Sequence, residues 1–75
     1  MNLTEVKHGT TYRIIDLSRV NTIVQKRLID LGVIEGVEIC SKYAMPFGGP
    51  YMLEVCGQCL SLRKKDVNCI EVEQA

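Results

Sequence analysis

The sequence predicts a mainly β protein: a small, partly open barrel of short strands with one inserted α-helix at about residues 22–31. Three observations point there. Apolar and polar residues alternate along 37–43, 51–56 and 59–63, the period of a half-buried strand. One stretch alone, 21–32, switches to the helical period. Glycine or proline marks most of the junctions between these runs. Short antiparallel strands with a single helix close most simply into a small barrel.

The elements follow in order. Leu3 and Val6 bracket Thr4-Glu5, which reads as one helical turn capped by Thr4 and ended at Gly9. TYRIIDL (11–17) is rich in β-branched and aromatic residues and makes a first strand. In NTIVQKRLIDLG (21–32), Val24, Leu28 and Leu31 fall at i, i+4 and i+7 as one apolar stripe. Asn21 or Thr22 caps its start, and Gly32 suits the positive-φ position after its end. Arg27 lies on the flank, with its stem over apolar surface and its head in water.

IEG (34–36) turns the chain into VEICSKY. There Val37, Ile39, Ser41 and Tyr43 share one face, and Glu38, Cys40 and Lys42 the other. AMPFGGP (44–50) is the longest break, with two prolines and two glycines. YMLEVC (51–56) sets Tyr51, Leu53 and Val55 against Met52, Glu54 and Cys56. CLSLR (59–63) sets Leu60 and Leu62 against Cys59, Ser61 and Arg63. Arg63-Lys64-Lys65, followed at once by Asp66, reads as a solvated turn. NCIEVE (68–73) closes the sheet with Ile70 and Val72 as a core pair. With no linker, repeat or low-complexity tract, residues 1–75 read as one domain.

Size and charge narrow the function. A chain of 75 residues buries only about 60% of its unfolded surface, which leaves little stability to spend on a large active site. A regulator or binding module is expected, and not an enzyme. Nine basic residues balance nine acidic ones, so nothing draws the chain to nucleic acid. The start, MNLTEVKHG, is no signal peptide, and no apolar run approaches the ~20 residues of a membrane span. A cytoplasmic protein with reduced thiols and no membrane insertion is expected. No nucleophile motif, phosphate-binding loop or H-E-x-x-H is present. FGGP is too short and too proline-flanked to cradle a phosphate.

CGQC (56–59) carries the sharpest question, because it holds two of the four cysteines. Two alternating runs separated by Gly57-Gln58 have the form of a two-residue hairpin of type II′. Cys56 and Cys59 would then stand opposite each other on the outer face. A hairpin end alone accounts for the spacing. A metal site would need more ligands, and Cys40, Cys56, Cys59 and an acidic residue are the set the strands could assemble. A redox pair would normally sit at a helix N-terminus, which is missing here. The expectation is that no metal or other cofactor is held, with the three-cysteine metal module as the alternative.

LTEVKHGTTYRIIDL, RLIDLGVIEGVEI and MPFGGPYMLEVCGQCLSLRKKDVNCIEVE together resemble the ferrous iron transport protein A family, FeoA. The likeness runs from about Leu3 to Val72. Its most specific pieces are Arg27-Leu28, Leu31-Gly32, Gly36, the Pro46–Pro50 loop and Leu60-Ser61-Leu62-Arg63. The resemblance implies an SH3-like barrel with a helical insertion. It also implies a cytosolic accessory role beside the GTP-binding ferrous iron permease, FeoB. Similar barrels end iron-dependent repressors, but this chain carries no DNA-binding helices. The family's turn is centred on glycine where Gly57 stands, and its flanks are not regularly cysteine.

A partner surface is expected from apolar residues outside the core. Ile23 and Ile29 fall off the helix stripe, and Met45 and Phe47 occupy the long loop. Loops carry binding residues more than their share, and an aromatic there is a natural anchor. The competing expectation is that Phe47 folds back to plug the barrel.

Overall fold

The computed structural model describes all 75 residues. The elements are β1 (Thr11–Asp16), α1 (Thr22–Asp30), β2 (Glu38–Ala44), β3 (Tyr51–Val55), β4 (Gln58–Leu62), α2 (Lys64–Val67) and β5 (Glu71–Gln74). The strands form one antiparallel sheet in the order β4-β3-β2-β1-β5. β4 is a free edge and β5 is met on its outer side only by the N-terminal residues, where Asn2 bridges Glu71, so the barrel is partly open, as the strand pattern predicts.

The alternation places the core. Ile39 pairs with Val55, and Leu53 stands beside Ser41 on one side and Leu60 on the other. Leu3, Ile14, Ile39, Leu53, Ile70 and Val72 are all shut off from solvent. Each such side chain contributes about 1.5–3 kcal/mol by leaving water. Ile70 and Val72 are the core pair expected of the last strand. Tyr43 departs from expectation and is half exposed. The register of β2 against β3 shifts between Ser41 and Tyr43, and this irregularity breaks the alternation before Tyr43.

Helix α1 starts where its cap predicts: the Ile23 N–H donates to Asn21 Oδ1 at 2.8 Å. It ends at Asp30, and Gly32 takes the positive φ, +83°, just beyond the cap Leu31. Leu28 is buried and Val24 packs against the core, but Leu31 is 39% exposed. The turn at Gly32 sends Val33 inward instead. Val33 is 1% exposed, and its N–H donates to the Leu28 carbonyl at 2.7 Å. Gln25 braces the start of the helix. Its amide turns back and donates to the carbonyls of Leu17 (2.8 Å) and Val20 (2.9 Å), closing the β1–α1 connection.

The N-terminal turn and the 63–66 stretch also differ from expectation. The N-terminal turn is organised by Asn2, whose Oδ1 accepts the Thr4 N–H at 2.9 Å, and not by Thr4. The 63–66 stretch is not a plain turn: Lys64–Val67 forms α2, because Val67 is drawn fully into the core. Its basic side chains stay exposed, as a solvated turn requires, but Asp66 is buried.

The β3–β4 hairpin turns one residue earlier than expected. Val55 pairs with Gln58 and Glu54 with Cys59, so Cys56 and Gly57 are the two turn residues. Both have positive φ, 52° and 78°, the signature of type I′ and not of II′. Cys56 therefore does not face Cys59.

Candidate interaction surface

The 45–50 loop is a finger closed by two backbone hydrogen bonds. The Met45 N–H donates to the Pro50 carbonyl at 2.9 Å, and the Gly49 N–H to the Pro46 carbonyl at 3.2 Å. Between them Phe47 and Gly48 both take left-handed φ, 59° and 74°. Gly49 is fixed by space: a Cβ there would lie 2.7 Å from Met45 Cβ and 3.2 Å from the Pro46 oxygen. The finger holds Phe47 entirely in solvent, at 104% relative exposure. The expectation of a barrel plug is overturned, because the tight turn points the ring away from the core.

The four apolar residues expected at a partner surface are all exposed: Ile23, Ile29, Met45 and Phe47. They do not form one patch. Ile23 shares a groove of about 910 Å³ with Pro50, at the base of the finger. Ile29 lines a different depression with Leu17 and Ile34. Six positions at about 100° each turn Ile29 well away from Ile23. The groove beside Ile23 is also lined by Arg27, Arg63 and Lys65. Sequence reasoning passed over these cations as a helix flank and a solvated turn. Their only signal was the basic run at 63–65.

The cysteines do not assemble a metal site. All four are free thiols, and no group of three or more His, Cys, Asp or Glu side chains is placed to hold an ion. The register explains why. Cys40, Glu54 and Cys59 lie in a row across three strands, each a strand spacing from the next, so the two thiols flank Glu54 and do not converge. Cys56 is drawn off into the turn. Glu54 is engaged besides: Lys42 Nζ lies 3.3 Å from its Oε1 and has its pKa raised, chiefly by this contact.

Arg13 reaches Glu73 at 3.7 Å and Glu38 at 4.0 Å on the outside of the sheet. The Asp16 carboxylate accepts the Ser18 N–H at 2.9 Å, which holds its pKa below 3.8. Ser41 is the one buried uncharged polar side chain, and its Oγ lies 2.9 Å from His8 Nδ1.

An antiparallel SH3-like barrel whose most exposed apolar group sits on a braced loop defines a small interaction module. The FeoA domain model matches residues 1–74, and the chain belongs to the FeoA family. The FeoA protein of Chlorobium tepidum is 27% identical with a TM-score of 0.91, over 99% of this chain and 70% of that one. A FeoA-like protein of Clostridium acetobutylicum is 31% identical with a TM-score of 0.80, over 99% and 85%. FeoA of Stenotrophomonas maltophilia, solved with zinc and described as an SH3 domain protein, is 24% identical with a TM-score of 0.80, over 97% and 89%; that likeness shows the fold alone. No curated protein matches the chain. Another relative, from Clostridium thermocellum, is described as an iron(II) transport protein A. No helix is long and apolar enough to cross a membrane.

Proposed function

We propose that this chain is a non-enzymatic accessory protein of ferrous iron uptake that docks on the cytoplasmic portion of the GTP-binding permease FeoB. The 45–50 finger and the exposed start of α1 make the contact, with Phe47 as anchor, Met45 beside it, and Ile23 at the finger's base. Ile29 belongs to a separate contact. The permease binds GTP and moves iron; this chain supplies an apolar projection and no cofactor.

One observation carries the reading. Phe47 holds a left-handed φ that costs a bulky residue about 1 kcal/mol, and it gains no burial within the chain in return. Strain kept at an exposed position points to a role outside the fold. Family membership supplies the iron-transport setting. The Stenotrophomonas relative is itself put forward as an activating factor of ferrous iron transport.

The test is affinity for the permease's cytoplasmic portion, measured for the wild type and Phe47→Ala. Loss of a central aromatic anchor should weaken docking by about 2 kcal/mol, roughly 30-fold, with stability unchanged within about 0.5 kcal/mol. Equal affinity in a folded variant would remove the finger from the interface.

A further inference from the structure

The groove at the base of the finger is strongly charged in a chain whose net charge is zero. Arg27 projects from the exposed side of α1, Arg63 precedes α2, and Lys65 lies within it. All three line the groove, are exposed, and take part in no ion pair within the chain. Arg19 adds a fourth cation, held loosely at 3.9 Å from Glu71. Asp66 is the one acid among the lining residues. The balancing carboxylates Glu38, Glu54 and Glu73 are on the sheet, paired with Arg13 and Lys42. The apolar part of the lining comes from Ile23, Val24, Pro50 and Leu62.

We propose that this groove binds an extended protein segment that alternates acidic and apolar side chains. The proposal deepens the docking reading above and rests on it, since Ile23 and Pro50 join the groove to the finger. The unpaired cations supply attraction that an acidic segment would complete. Partial enclosure strengthens each contact relative to open water. The apolar residues between them take the alternate side chains. Asp66 argues against nucleic acid: it is the one acid among the lining residues and makes no ion pair, so the groove is not a uniformly basic track for phosphates. No aromatic side chain lines the groove on which a base could stack.

A peptide of about eight residues, at ~3.3 Å each, spans a molecule 26 Å across. A fluorescent peptide of alternating Glu and Leu, its Lys-and-Leu counterpart and a single-stranded oligonucleotide are titrated against the full chain. The acidic peptide should bind, and high salt should weaken it about tenfold. The Arg27→Glu, Arg63→Glu double variant should lose at least about tenfold more, at unchanged Tm, since both side chains are exposed. Preference for the basic peptide or the oligonucleotide, or equal binding by the folded variant, would overturn the proposal.

The permease's cytoplasmic portion separates this inference from the functional reading. If the double variant binds it as the wild type does, the groove proposal fails and the permease reading stands. If the wild type binds the acidic peptide but not the permease portion, the permease reading fails and the groove stands.

Discussion

Phe47 and Cys56 occupy equivalent positions in two separate turns. Each is the first of two consecutive left-handed residues, at φ 59° and 52°, and each is followed by a glycine, at 74° and 78°. They are the two non-glycine residues with positive φ in the chain. A side chain at such a position costs about 1 kcal/mol, and asparagine or glycine would sit there more easily. One turn presents a phenyl ring to solvent and the other a thiol.

The ring at position 47 should therefore be replaceable to the benefit of the fold. Phe47→Asn is expected to raise stability by about 0.5–1 kcal/mol in thermal unfolding, while permease affinity falls as in Phe47→Ala. A stabilised variant that still docks fully would show that the strain serves nothing.

Cys56→Asn restores the preferred Asn-Gly pair of a type I′ hairpin. It should also stabilise the chain by about 0.5–1 kcal/mol, and Cys56→Val should destabilise it by at least that much, because a β-branched residue tolerates positive φ worst. Chemical denaturation of the reduced protein checks both signs.

Gly49 tests the finger without touching its tip. An added methyl would press within 2.7 Å of Met45 Cβ, so Gly49→Ala must shift the loop. Docking should weaken by about 1 kcal/mol or more, with amide shifts confined to the loop and its anchors Met45 and Pro50.

Asp16 sets an acid dependence. The backbone N–H of Ser18 holds its carboxyl below the ordinary 3.8. A depressed folded-state pKa stabilises the protein above pH 3.8, and that contribution is lost as pH falls through the lower folded value. Asp16→Asn keeps an acceptor for Ser18 but does not titrate. Its Tm should fall less steeply with acid, as a pH series of melting curves would show.

The hairpin shows how far the sequence can be read and where it stops. Leu60 and Leu62 do lie on the same face as Leu53 and Val55, and Cys59 is exposed, as the alternation requires. Side chains repeat their face every second residue, so pairing Leu53 with Leu60 or with Leu62 exposes and buries the same set. Apolar pattern cannot separate those registers. Turn conformation can, and Gly57 permits either a type I′ turn led by Cys56 or a type II′ turn that it leads itself. The metal reading depended on both this register and that of β2 against β3, and together they set Glu54 between Cys40 and Cys59 and leave Cys56 in the turn. Helix α2 was hidden for another reason: its four residues are too few to show a helical period, and it forms because Val67 is buried. At the candidate surface, the exposure of Ile23 and Ile29 was legible from their places off the helix stripe, whereas a loop position left Phe47 open to either a buried or an exposed fate. The cationic groove was not legible, since Arg27 and Arg63 meet only once α1 and β4 are packed together.

Docking through the finger and its groove is tested most directly by amide NMR titration of the reduced protein with the permease's cytoplasmic portion. Shifts clustered on residues 22–27 and 45–50 and on 61–66 are expected. Shifts confined to the opposite edge strand, Glu71–Gln74, or a spectrum unchanged at saturating partner, would contradict the proposed surface.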